Sequence, residues 1–160
     1  MTDFTVAHQQ EDGRWNYSLD IQNGEERKQI DFHQGYVLDS IAYVIKYCGG
    51  NQTYQDAFDR GLKFYKEKQF YPSGRSLFRL PKEYPVEIHN QAQGIVTFSR
   101  SGDVDFAGVI SDWTIKNMRS KKGYFYYKKY NFHTIKTPFI RWSQAWMLLA
   151  LTELMIAQDG

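Results

Sequence analysis

The chain has 160 residues, enough for one domain with its own core. Charged residues make up 24% and the formal net charge is +2, which excludes a strongly basic nucleic-acid binder or a polybasic membrane-surface segment. A single cysteine, Cys48, excludes an intrachain disulfide and points to a reducing compartment.

The N-terminus, MTDFTVAHQQEDG, has no apolar core of a signal peptide. The most apolar stretch, residues 145–157, contains Thr152 and Glu153 and is too short to span a bilayer. A soluble, cytoplasmic protein without a membrane segment is expected. Aromatics reach 17%, which suits either a packed helical core or a surface that stacks on sugars.

In chain order, HQQEDGRW reads as a turn, WNYSLDI as extended, and Asn23-Gly24 as a second turn. A first helix is expected from Asp31 or Phe32 to Cys48, with Val37, Leu38, Ile41, Val44 and Ile45 on one face. Gly49-Gly50 ends it. A second amphipathic helix spans about residues 53–68. After the turn Tyr71-Pro72-Ser73-Gly74, SLFRL is extended, and Pro81 and Pro85 bracket a loop. A third helix covers about 89–100 and a fourth about 105–119. YFYYKKYNF is extended, and a fifth helix, about 141–158, is apolar nearly all round and expected to be the most buried.

Three segments are variants of one another: QIDFHQGYVLDSI, YPVEIHNQAQGIVTF and PFIRWSQAWMLLA. His33, His89 and Trp142 take equivalent places in this reading; Pro85 and Pro138 precede His89 and Trp142 at the same distance, and Gln29 holds that place before His33. Each copy follows a glycine turn and an extended aromatic piece, and one further amphipathic helix separates the copies. The unit is turn, short strand, inner helix, outer helix. Such units must stack, because one hairpin cannot bury its own apolar face.

The segments DGRWNY, IDFHQGYVLDSI, YPVEIHNQAQGIVTF and TPFIRWSQAWMLLAL resemble the C-terminal half of α/α-toroid proteins linked to carbohydrates. These include six-hairpin glycosidases, acylglucosamine epimerases and bacterial polysaccharide-biosynthesis proteins. The resemblance implies an all-α fold: a partial α/α toroid, about half a six-hairpin ring, with short strands in loops at one end. It also implies a single domain over 1–160 that is half of a larger ring, completed as a homodimer or by a missing N-terminal half. HQQEDGRW and FYKEKQFYPSGRS also resemble, more distantly, the glutamine–tryptophan turns of terpene-cyclase toroids.

Residues at the starts of inner helices would line one mouth of such a ring. That gathers Asp31, His33, Glu87 and His89 as acid–base candidates. Arg141, Trp142, Gln91, Gln144 and Asn90 would contact substrate, with Trp15, Tyr17, Tyr124 and Tyr126 from the preceding strands. Asp31 and Glu87 also sit where acids cap helices. No HxH or HExxH spacing supports a metal, and no glycine-rich phosphate loop is present, so no metal or cofactor is expected. Residues 120–136 mix lysines with aromatics, as single-strand binders do. Their repeat-equivalent place favours a hairpin whose aromatics pack while lysines face water, and no nucleic acid is expected. The expected function is acting on or binding an oligosaccharide or polysaccharide in its metabolism or biosynthesis, of glycosidase, lyase or epimerase type if catalytic. The alternative is a non-catalytic helical-repeat interaction or assembly module.

Overall fold

The computed structural model describes residues 1–160. It opens with a short helix α1 (Thr2–Ala7) that the sequence pattern does not announce. A two-stranded ribbon follows, β1 (Ser18–Leu19) paired antiparallel with β2 (Glu26–Arg27). Helices α2 (His33–Tyr47) and α3 (Gln52–Gln69) form the first hairpin. Asn51 starts α3, its side chain accepting from the Tyr54 amide at 2.9 Å.

Strand β3 (Val86–Glu87) runs straight into α4 (Ile88–Arg100), and α5 (Val104–Met118) returns from it, capped by Asp103. Strands β4 (Lys128–Lys129) and β5 (Thr134–Ile135) form a hairpin whose first strand pairs with β3. A π-helical turn, Ile140–Ala145, opens into α6 (Trp146–Asp159). The four inner and outer helices expected before α6 thus lie within a residue or two of the pattern's limits.

The expected all-α class, a partial α/α toroid, is corrected. Five strands pair in two antiparallel sheets, so the chain is mixed α/β with helix predominating. The physical reason is hydrogen-bond satisfaction. Backbone leading into α4 pairs with the β4–β5 hairpin, which supplies ladder partners that an irregular loop lacks.

The helices make two layers. The inner layer is α2, α4 and α6, and the outer layer is α3 against α2 and α5 against α4. Helix α4 lies between both neighbours and is buried over all but its last residue. Leu38, Ile41, Ile95, Phe98 and Ile110 sit where the layers meet, all essentially inaccessible. Each such side chain stabilises the fold by about 1.5–3 kcal/mol relative to exposure.

Helix α6 does not become the most buried element. Only Met147, Ala150 and Leu154 are buried, while Leu148, Met155 and Ile156 face solvent. Apolar composition all round calls for neighbours all round, and α6 has them on only one side.

Three glutamines set the true register of the repeat. Gln34 accepts from the Trp15 amide at 2.9 Å and donates to the Trp15 carbonyl at 2.6 Å. Gln91 accepts from the Ser76 amide and donates to the Gly74 carbonyl and to Thr114. Gln144 accepts from the Phe125 amide at 3.0 Å and donates to the Phe125 carbonyl at 2.8 Å. Each side-chain amide clips the turn segment to its inner helix. In this register His89 matches Trp142, as the sequence suggests, but both match Phe32 rather than His33. His33 matches Asn90 and Ser143.

Candidate functional site

The inner-helix starts converge at one end of the molecule. Phe32 stacks on His89 with centroids 4.2 Å apart and on His33 at 4.3 Å. His89 continues the row to Trp146 at 4.6 Å, with Trp142 beside it at 5.5 Å. Four consecutive rings from α2, α4 and α6 therefore form a stack, His33–Phe32–His89–Trp146, with Trp142 at its side. Tyr17 meets His33 edge-on at 4.8 Å. The Arg141 guanidinium lies over the Trp142 ring at 4.9 Å.

His33 and Asp31 form the polar end of this row. The imidazole Nδ1 lies 2.5 Å from the Asp31 carboxylate, which is 1% exposed while the His33 side chain is 35% exposed. Asp31 also accepts from the Gln29 amide at 2.6 Å and from the His33 backbone N–H, and faces Arg79 at 3.4 Å. A buried carboxylate so held fixes the ring orientation. With Nδ1 engaged, Nε2 is the histidine nitrogen left for other partners.

His89 is different in kind. Its Nε2 lies 2.6 Å from the Tyr36 hydroxyl. Burial first, and then the charge of His33, pull the imidazole down to about 4 against the attraction of Asp31. Burial, with Asp39 and Asp31, pushes the Tyr36 hydroxyl up to about 12. At neutral pH the tyrosine therefore donates and His89 accepts, as a neutral ring.

The structure brings some expected site residues together and separates others. Asp31, His33, His89, Trp142 and Tyr17 cluster, with Arg141 alongside Trp142. Glu87 faces Lys128 at 3.7 Å across the β3–β4 pair, and its side chain makes no cap to α4. Gln91 is fully buried and Gln144 spends both amide ends on Phe125, so both hold turns rather than substrate. Asn90 is buried and donates to the Leu77 and Phe78 carbonyls. Trp15 is a core residue whose indole N–H donates to the Thr5 carbonyl at 2.8 Å. Tyr124 and Tyr126 touch each other edge-on, 5.9 Å apart. Cys48, at the end of α2, is exposed.

Sequence reasoning missed Phe32, Tyr36 and Trp146, since nothing local marks them. It also missed a charged network at the other end of the inner helices. Arg100 of α4 reaches Asp39 of α2 at 3.3 Å and Glu153 of α6 at 2.6 Å. Asp39 further accepts from Thr97 at 2.9 Å and Gln93 at 3.0 Å. A groove of about 720 Å³ opens above this network, flanked by Tyr43 and Tyr47.

No group of three or more His, Cys, Asp or Glu is placed to hold a metal ion. No helix is long and apolar enough to cross a membrane.

No protein-family model matches the chain, and no curated protein matches it in sequence. A crystal structure of a sugar epimerase from a ruminal bacterium is similar in fold, with a TM-score of 0.78 at 18% identity, over 99% of this chain. The chain spans 47% of the length of that epimerase.

Proposed function

We propose that the protein takes a carbohydrate at the His33–Phe32–His89–Trp146 end and acts on it by proton transfer. The observation that carries this reading is the Asp31–His33 contact at the open end of a row of rings. Aromatic faces bind the apolar faces of sugar rings, and a neighbouring acid–base group reaches their hydroxyl or C–H protons. His33 is the acid–base group, with Asp31 holding its ring. Trp142 and Tyr17, both partly exposed, supply stacking faces, and Arg141 contacts hydroxyls or an acidic sugar. His89, kept neutral against Tyr36, positions Phe32 and Trp146.

The similarity in fold to a sugar epimerase supports a sugar as the ligand; the epimerase, lyase or glycosidase type of chemistry rests on the acid–base pair itself. In a lyase-type step the imidazole Nε2 accepts a substrate C–H proton and the imidazolium gives it to the departing oxygen, so no other reactant is consumed; a glycosidase-type step also consumes water, and an epimerase-type step returns the proton only after the deprotonated sugar has turned its other face to Nε2.

The test is calorimetric titration of the purified protein with a panel of mono- and oligosaccharides, with turnover followed by NMR. Binding that Trp142→Ala weakens, with turnover that His33→Ala abolishes, is the expected result. A protein that binds no sugar in the panel, with both variants indistinguishable from wild type, would falsify the reading.

A further inference from the structure

Residues 119–141 hold seven Lys or Arg and no Asp or Glu, in a chain whose formal net charge is only +2. The rest of the chain is therefore net acidic, and the surplus positive charge is gathered in one stretch. Elsewhere cations find acids: Lys66 pairs with Asp103, Arg75 with Glu83, and Arg100 with Asp39 and Glu153. Within the basic stretch only Lys128 has an acidic partner, Glu87 at 3.7 Å. Like charges left unpaired repel one another and add nothing to folding.

Both ends of this stretch reach the mouth. Strand β4 pairs with β3, which leads directly into the helix of His89. Lys128 lies 5.5 Å from the Phe78 ring, and Arg79, over the same ring at 5.0 Å, reaches Asp31 through Nε at 3.4 Å. The two Nη groups of Arg79 remain for another acceptor. After β5, residues 136–142 are exposed without a break and end on the Arg141–Trp142 pair beside His89. Along that run cations and rings alternate: Lys136, then Phe139, then Arg141 and Trp142, with both rings exposed.

We propose that the strip from Lys136 to Trp142, flanked by Lys129 and Arg79, is a track for an acidic polysaccharide that enters the mouth. This rests on the sugar reading of the mouth and names the class of chain it takes. Ammonium and guanidinium groups pair with the anionic substituents of such a chain, and the rings between them take the apolar faces of its sugars. Single-stranded nucleic acid also combines anions with flat rings. Continuity with the Asp31–His33 pair and its row of rings favours the glycan.

The test is fluorescence polarisation of the full chain with two labelled probes, an oligogalacturonate and a neutral cello-oligosaccharide of equal length. The acidic probe binds at least about tenfold more tightly than the neutral one at low salt, and loses most of that advantage between about 50 and 200 mM salt. Lys129→Gln with Lys136→Gln brings the acidic probe close to the neutral one, whereas Lys63→Gln, exposed on α3, leaves it unchanged. Equal affinity for the two probes, or an acidic-probe affinity that the double variant does not change, overturns the track and leaves a sugar site at the mouth standing. Binding of neither probe also overturns the track, and the sugar panel with Trp142→Ala then decides the mouth separately. A single-stranded oligonucleotide that binds more tightly than the oligogalacturonate and is released by the same double variant assigns the strip to nucleic acid and overturns the proposal.

Discussion

His89 accepts a hydrogen bond from Tyr36 across the α2–α4 contact, 2.6 Å from Nε2 to the hydroxyl, while its ring lies between Phe32 and Trp146. The pair joins all three inner helices at one point. Burial favours the neutral imidazole, and in that form Nε2 accepts while the hydroxyl donates; on protonation Nε2 becomes a donor and the hydroxyl must turn to accept.

That gives a pH dependence with a definite sign. The unfolded histidine titrates near 6.5 and the folded one at about 4. Between those values the unfolded chain binds more protons, so stability falls as pH falls. The loss begins near pH 6.5 and levels off near 4, reaching about 3 kcal/mol for this one group. Urea melts at intervals from pH 7.5 to 4 measure it. His89→Phe keeps the ring stack but removes the titrating group, and its melts lack that component.

The buried glutamine clamps predict a second contrast. Gln91→Ala leaves the Ser76 amide and the Gly74 carbonyl without their partner in a fully buried setting. Unsatisfied buried groups cost about 1–3 kcal/mol each, so the variant loses about 3 kcal/mol. Gln144→Ala breaks the equivalent bonds at a part-buried place that water reaches, and loses about 1 kcal/mol. Equal losses in thermal melts of the two variants contradict a cost set by the difference in burial between the two clamps.

These clamps also explain where sequence reading succeeds and where it stops. Glycine turns, capping residues and amphipathic spacing mark α2 through α5 because those signals are local. The repeat is visible for the same reason. Its register slips by one at the first copy, because a shared histidine stands out more than a shared glutamine whose role depends on a distant backbone. The burial of α6 is misjudged because composition records what a helix could bury, and its neighbours decide what it does bury. At the site, Asp31 and His33 are legible as an acid and a histidine opening a helix. Tyr36, Phe32 and Trp146 acquire their roles only when three helices meet.

The Asp39–Arg100–Glu153 network carries a third expectation. Burial raises the Asp39 carboxyl above its usual range, while Thr97, Arg100 and Gln93 work against that shift. Arg100→Met removes the positive partner and leaves the carboxylate facing Thr97 and Gln93 alone. The variant is destabilised by about 1–3 kcal/mol at pH 7. A carboxyl with a raised folded pKa favours the folded state as it protonates, so the deficit shrinks on acidification. A deficit constant from pH 7 to 4.5 would mean that Asp39 is not what Arg100 supports.

The last prediction separates chemistry from binding at the mouth and rests on the sugar reading. Asp31 does not face solvent and is held by Gln29, Arg79 and the His33 backbone as well as by the imidazole. Asp31→Asn keeps the shape but can present a donor where His33 Nδ1–H needs an acceptor, which turns the ring or reverses its tautomer. Turnover should fall by about 100-fold or more, while sugar affinity, set by the exposed faces, changes by less than about threefold. Trp142→Ala should do the reverse: it removes a partly exposed stacking face and raises KM while leaving kcat close to wild type. If Asp31→Asn weakens binding as much as turnover, the carboxylate contacts the sugar directly, and His33 is not the group through which it acts.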